Sequence, residues 1–267
     1  MPVMVTGAST AAGRAAVAAL LGVGGEVRVY ADPADGGSVL DGWRAAACKI
    51  ARGTLDDEGR VEQALEQVHT VAHLASRLTD SADRTLDELA VVVSAAIGAG
   101  CRRFIWMSQL QAADPGANPY LRACAEGETL LSAAPMETVV YRCALTYGPE
   151  DELTAALAHG APAGLDGAAR HAPLYVEDLA GAVVAADRMS RGGEAADLHL
   201  VLGLAGPQDV SLDEFCRLLP ATGTGRNSPL PVHVADVLNR DQPRSDDMLG
   251  MHGVGPVEGI ARMRRRL

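Results

Sequence analysis

The residues best placed to do chemistry stand at the start of the chain, where apolar Val3-Met4-Val5 ends in Thr6-Gly7-Ala8-Ser9-Thr10-Ala11-Ala12-Gly13. A strand, a Gly-rich turn and a helix in this order aim free backbone N–H groups and the positive end of a helix dipole at one point, which is chemistry for holding a pyrophosphate. Gly7 and Gly13 have the separation of such a turn, but Thr10 or Ala11 holds the place of its middle glycine. Two glycines alone are a weak motif. Asp32, just past a second strand, offers a carboxylate to an adenosine ribose and repels a 2′-phosphate, which favours NAD over NADP. Arg14 works against that repulsion, and Asp32-Pro33 reads equally as a turn. His73, alone on an apolar strand, reads as a structural histidine rather than a base. Five cysteines lie scattered without C-x-x-C spacing, which argues against a disulfide framework and against a metal site.

The elements that must position these groups follow from the hydrophobic pattern. Short apolar runs predict strands near residues 2–6, 26–30, 47–51, 69–74, 103–107 and 137–141, with helices between them, the signature of an α/β parallel sheet. The runs at 70–74 and 104–107 lack alternation, as strands covered on both faces do. Helical spacing of Leu86, Leu89, Val93 and Ile97 predicts one long helix over 83–100. Past Tyr147-Gly148-Pro149 the chain changes character, with one clear helix over 176–188. The stretch 220–255 reads as an irregular excursion before a last short helix. The predicted fold is a doubly wound Rossmann-type sheet with a small C-terminal substrate lobe: residues 1–150 form the dinucleotide domain, and 151–267 a substrate-binding region interleaved with the same fold. In such a sheet the segments just after Leu74, Met107 and Arg142 should line the site.

Hydrophobic residues make up 48% of the chain and aromatics 3%, so the core must come from Ala, Val and Leu. A net charge of −11 opposes attraction to nucleic acid or to an anionic membrane. The start has no charged segment leading an apolar one, and no apolar run reaches the roughly 18 residues of a membrane span, so a cytoplasmic location is expected. The arginines at 262 and 264–266 read as a solvated helix end.

Taken together, the motifs resemble the extended or atypical short-chain dehydrogenase/reductase superfamily, in its NAD(P)-binding epimerase/dehydratase-like and NmrA-like branch. Thr6 to Gly13 fits T-G-x-x-G-x-x-G, Gly53-Thr54-Leu55-Asp56 fits G-D-L-x, and Val71-Ala72-His73-Leu74-Ala75-Ser76 fits V-x-H-L-A. Phe104-Ile105-Trp106-Met107-Ser108-Gln109 fits the strand leading to the family's serine, and Tyr120-Leu121-Arg122-Ala123-Cys124 fits its Y-x-x-x-K helix. Tyr141 to Pro149 and Leu174 to Ala180 resemble the R-P-x-x-x-Y-G-P and V-x-V-x-D-L-A segments. Any one match is unspecific; the set, in this order, is strong. The resemblance implies that Gly7, Thr10, Ala11, Ala12 and Gly13 bind the cofactor together with Asp32, Thr54 and Leu55. It extends that role to Leu74, Ala75 and Ser76 and to Cys124 at the lysine position. It also implies a homodimer paired through the helices at 83–100 and 120–133.

In this family a tyrosine is the general acid/base, and a lysine one turn later lowers its pKa. A free tyrosine near pKa ~10 is a poor base at neutral pH, so the cation matters. Here Tyr120 has Cys124 in that place, and the only lysine, Lys49, sits in a distant strand region. Arg122 lies about 200° around the helix from Tyr120. Three readings of Tyr120 stay open: a hydride-transfer acid/base with altered support, a substrate-orienting hydroxyl in non-redox chemistry, and a structural remnant. Ser108 or Gln109 would polarise a substrate carbonyl, Gln109 standing in the best register for the family's serine. A Cys124 nucleophile lacks an identified base, so a small filler is the simpler role. The expected function is an NAD(P)-binding protein acting on a small molecule, of oxidoreductase, epimerase or dehydratase type, with a degraded Tyr-Lys pair. The alternatives are a non-redox cyclase, isomerase or dehydratase of secondary metabolism, and a non-catalytic NmrA-like dinucleotide sensor. NAD is the expected cofactor; the departures in the turn and at Thr54 also allow a repurposed fold that uses none.

Overall fold

A computed structural model describes residues 2–35, 37–75, 77–158, 160, 164–189, 198–220, 230–242 and 256–264. Seven parallel strands make one sheet: β1 (Val3–Thr6), β2 (Val27–Ala31), β3 (Lys49–Arg52), β4 (Thr70–His73), β5 (Arg103–Gln109), β6 (Glu137–Cys143) and β10 (His199–Leu204), in the order β10-β6-β5-β4-β1-β2-β3. The first six stand where the apolar runs predict them. Strand order reverses direction between β1 and β4, the switch point at which a doubly wound sheet opens a crevice beyond its carboxyl ends.

Alternation along the strands builds two cores. Val3, Val5, Ile105 and Met107 face α1 (Ala11–Gly22), α2 (Gly37–Ala45) and α7 (Val176–Arg188) on one side. Met4, Phe104, Trp106 and Val140 face α3 (Glu58–Leu65), α4 (Ala82–Gly98) and α5 (Pro119–Ser132) on the other. With so few aromatics, close approach replaces bulk: a Cβ on Gly127 of α5 would stand 2.6 Å from the Trp106 ring. At the amino end of the sheet, buried Arg103 pairs with Glu137 at 2.6 Å and donates to the carbonyls of Ala186 and Asp187 at 2.6 and 2.8 Å. The last turn of α7 is thereby tied to β5 and β6.

A third core lies past the carboxyl ends. It joins β7 (Thr146–Tyr147), α6 (Glu152–Leu157), β9 (Leu174–Tyr175), α8 (Leu212–Leu218), α9 (Val232–Leu238) and α10 (Pro256–Arg264) around Tyr147, Tyr175 and Phe215. Ala11 belongs to this core too, so the lobe rests on the start of α1. Two-stranded pairings of β7 with β9, and of β8 (Arg170–His171) with β11 (Val210–Ser211), brace it.

Two elements differ from the sequence reading. Strand β10, absent from the predicted set, adds to the free edge of β6, so the region after residue 150 contributes to the main sheet. Only its last residue, Leu204, is buried, which blurs the apolar signal of a strand. Within the stretch read as irregular, α9 is a helix following Pro231, a residue suited to a helix start; residues 221–229 and 243–255 lie outside the described part. The last short helix is α10. Among the described residues, no helix is long and apolar enough to cross a membrane.

Candidate functional site

Register brings the carboxyl ends of four strands level at Thr6, Tyr30, His73 and Trp106, so the segments that follow share one rim. The chain leaves β1 at Gly7, whose φ of +67° is a left-handed conformation that glycine adopts without strain. A Cβ there would stand 2.4 Å from Ala75 Cα, and one on Gly13 would stand 2.1 Å from the Gly7 carbonyl oxygen. Both glycines are therefore required for β1, the turn and α1 to close on one another. Thr10, in the middle glycine's place, caps α1: its Oγ1 accepts the Gly13 N–H at 3.0 Å and donates to Gly7 O at 2.8 Å, with Leu74 O at 3.2 Å. The threonine hydroxyl is spent on the turn and on the end of β4.

The first N–H groups of α1 have no acceptor within the helix, and its first turn carries no acidic residue. Ala11 and Ala12 of that turn line the cleft. A helix start with no carboxylate in its first turn, opening onto a crevice, fits a pyrophosphate, so the residues present suit a dinucleotide.

Ser9, Thr10 and Arg77 stand between two cavities, each partly open to solvent. The first, on the β2 side, is lined by Gly7, Asp32, Leu55 and Ala75. Asp32 is exposed; its carboxylate accepts the Ala34 N–H at 2.8 Å, an Asx turn, and still faces the cavity. Asp35, Asp80 and Glu88 join it on an acidic rim where Arg84 is already held by Glu88 at 2.8 Å. Thr54 lies in an adjoining groove with Leu55, its carbonyl accepting the Tyr30 hydroxyl at 3.2 Å. Leu74 is buried behind the turn, and Ser76 lies outside the described residues. His73 is fully buried with Nδ1 2.7 Å from Thr6 Oγ1, and burial holds its pKa down to about 4, so it is neutral at pH 7.

The second cavity lies between the start of α1, the end of β5 and the segment leading into α6. Gln109, only 8% exposed, lines it at the tip of β5. Ser108 does not: one residue earlier on the strand it points to the opposite face, where its Oγ donates to Glu128 Oε1 at 2.7 Å. Glu128 in turn receives the Arg142 guanidinium through Nε at 2.9 Å and Nη2 at 2.5 Å. Ser108 is thus committed to a buried ion pair that joins α5 to β6.

Tyr120 and Cys124 share that interior. Tyr120 is 2% exposed and its ring stacks on His233 of α9 at a centroid distance of 5.7 Å. His233 donates from Nε2 to Leu78 O at 2.9 Å, while Asn118, the cap of α5, donates to His233 O at 3.0 Å and Asp236 at 2.8 Å. These bonds hold α9 over the tyrosine. Burial pushes the Tyr120 phenol well above its ordinary pKa, with Cys124 adding to the rise and the Gln109 side chain opposing it; none of these is a cation. Cys124, packed against Tyr120 and Ser108, has its thiol pushed up to about 12, first by burial and then by the Glu128 charge. Arg122 turns away to donate to Gly116 O at 2.9 Å. The structure therefore brings Gln109 to the cleft and leaves Ser108 and Cys124 behind its wall, with Tyr120 buried there too and in hydrogen-bond contact with the Gln109 side chain.

Several lining groups went unnamed in the sequence reading. Arg77, Leu78 and Thr79 follow β4, Leu145 and Thr146 follow β6, and Glu150-Asp151-Glu152 leads into α6, whose first residue is Glu152. The first two sets fall in segments that the switch-point rule points to. The third carries a visible signal, three acidic residues running on from Gly148-Pro149.

A family model described as NAD(P)H-binding matches residues 7–159. A ceramide reductase from Caulobacter vibrioides (strain NA1000 / CB15N) is 28% identical over 224 residues, covering 80% of this chain and 66% of that protein, just under two thirds of its length. Among solved structures, the Thermus thermophilus UDP-glucose 4-epimerase complex with NAD matches with a TM-score of 0.71 at 19% identity, over 100% of both chains. The Bordetella bronchiseptica enzyme WbmG in complex with NAD and UDP matches with a TM-score of 0.71 at 18% identity, over 99% of this chain and 94% of that one. At such identities these structures speak for the fold.

Proposed function

This chain belongs to the NAD(P)H-binding family, and we propose that it binds NAD in preference to NADP across the β1–β4 switch point and transfers hydride to or from a small molecule beside Gln109, with residues 151–267 supplying the substrate lobe. When bound, the nicotinamide supplies or accepts the hydride. The start of α1 would hold the pyrophosphate, and the acidic rim of Asp32, Asp35, Asp80 and Glu88 would disfavour a 2′-phosphate. Gln109 donates an amide N–H to the substrate oxygen, a polarising role that needs no ionisable group. The proton on that oxygen is exchanged with water at the open mouth of the cleft. Tyr120 keeps its proton at neutral pH and serves as the floor on which α9 rests. The reductase name of the Caulobacter relative accords with hydride chemistry.

One observation carries this reading: Gln109 lines the cleft, while Tyr120 is buried with its ring stacked on His233 and has no cation among the groups that shift its pKa. The test is NADH oxidation with a carbonyl panel. Gln109→Ala should lower kcat/KM by about 10²-fold, the scale of one oxyanion donor, while Tyr120→Phe should stay within roughly three-fold of the parent. A hundred-fold loss in Tyr120→Phe with NADH affinity intact would refute the assignment. The same burial of Tyr120 supports a second reading, a dinucleotide-binding protein without turnover; tight NADH binding with no product from any carbonyl, nucleotide sugar or alcohol would select it.

A further inference from the structure

We propose that Arg77 is the cation that meets the dinucleotide's pyrophosphate, and that it exchanges its present partner, Glu152, for the phosphates when the cofactor enters. This rests on the reading of the α1 start as the pyrophosphate site and adds the charged residue that completes it. The turn alone has little to set against two negative charges. Of the first N–H groups of α1, that of Gly13 is taken by Thr10 Oγ1 at 3.0 Å, which leaves those of Ala11 and Ala12. The surroundings are acidic as well: the rim around Asp32 lines one cavity, and Glu150, Asp151 and Glu152 line the other. Among the described residues, the cations lining these cavities are Arg77 and Arg84. Arg84 belongs to the β2 side, where Glu88 holds it at 2.8 Å. Arg77 lines both cavities, together with Ser9 and Thr10 of the turn.

The backbone of Arg77 is fixed while its side chain is loosely held. Its N–H donates to Asp80 Oδ2 at 2.9 Å and its carbonyl accepts the Asp80 N–H at 3.0 Å, a turn that sets where the side chain departs. The guanidinium side chain is 42% exposed and lies 3.4 Å from Glu152 Oε1, on a side chain 69% exposed. So long and so exposed an ion pair is weak, and Glu152, once released, returns to water at a position already open to it. A phosphate offers the guanidinium two oxygens in the paired geometry that suits its fork, which makes the exchange favourable. The neighbouring tether is of another kind. Arg14 pairs with Glu150 at 3.1 Å and also donates to the carbonyls of Ser9 at 2.5 Å and Glu150 at 3.3 Å. Three contacts bind Arg14 to both sides of the gap, against one for Arg77. Arg77 is therefore the arginine that turns inward, while Arg14 keeps the segment before α6 against the α1 turn.

Calorimetric titration of NADH into the parent, Arg77→Gln, Glu152→Gln and the double variant tests this. Expected is a loss of about ten-fold in affinity for Arg77→Gln, the lower end for a hydrogen bond to a charged group because the site is open to solvent. Glu152→Gln removes the competing carboxylate and should raise affinity by about three-fold. Because the exchange needs both partners, that gain should vanish in the Arg77→Gln background. Both side chains are exposed, so the variants should melt within about 3 °C of the parent and their affinities compare like with like. NADH affinity within two-fold of the parent in Arg77→Gln, or an equal gain from Glu152→Gln with and without Arg77, overturns the proposal and leaves the cofactor reading standing. A parent protein that binds no NADH at millimolar concentration overturns both.

Discussion

Ser108 stands next to the cleft in sequence yet behind its wall in space, and the Ser108–Glu128–Arg142 chain makes that distinction measurable. Ser108→Ala removes an O–H donor 2.7 Å from a buried carboxylate, while Glu128 retains its hydrogen bonds from Arg142. A hydrogen bond to a charged group is worth about 1.5–3 kcal/mol, so the variant should lose about 2 kcal/mol. Glu128→Met fills the same space but unpairs Arg142. Breaking a buried pair costs about 3–5 kcal/mol, and because the Arg142 side chain is 28% exposed the lower end applies. In the double variant the serine has no carboxylate left to lose, so the two effects should fall short of additivity by about 2 kcal/mol, well above the few tenths expected of independent sites. Urea unfolding reads all four proteins. At a slope of about 3 kcal/mol/M, Ser108→Ala should move the midpoint down by about 0.7 M and leave NADH affinity within two-fold. Additive losses, or a Ser108→Ala protein of parental stability whose turnover falls a hundred-fold, would refute the placement of Ser108 as a structural residue.

The pH dependence of stability follows from His73. Its folded pKa is depressed from 6.5 to about 4, so between those values the unfolded chain binds more protons. Its contribution is complete above pH 6.5 and is lost as pH falls towards 4, by about 3 kcal/mol in all. His73→Asn should flatten the stability profile over that interval in urea titrations at fixed pH; an unchanged slope would show that this histidine does not govern it. At the other cavity, Asp32→Asn should improve NADP binding by about ten-fold at low salt and by less at 0.5 M salt, because the carboxylate is exposed and screened. Equal NADP affinity in parent and variant would show that the acidic rim does not choose the cofactor.

Much of the fold is legible in the sequence because its apolar strands are short, buried on both faces and separated by helical spacing; Val3–Thr6 and Arg103–Gln109 are examples. Strand β10 is harder to see because a half-covered strand has weaker patterning. The turn is readable from Gly7 and Gly13, but the reason for Thr10 is not: its inward bonds depend on Leu74, sixty-four residues away. The same limit applies at the acid/base position. Replacement of lysine by Cys124 is visible in the sequence and signals a changed mechanism. That α9 arrives from residues 232–238 to lay His233 on Tyr120, and that Glu128 of α5 takes the Ser108 hydroxyl, are facts of tertiary packing. The acidic lip at 150–152 is visible as composition and acquires meaning only from Arg14 and Arg77, which reach it from α1 and from the segment after β4.

A dinucleotide lying along the α1 turn, with its adenosine end against Asp32, is the premise on which both the hydride chemistry and the role of Arg77 depend. Calorimetric titration with NAD⁺, NADH, NADP⁺ and NADPH tests this most directly. Micromolar binding of the NAD pair, with the NADP pair weaker by at least about ten-fold, is the predicted result; no heat of binding from any of the four at millimolar concentration, or tighter binding of the phosphorylated pair, would contradict it.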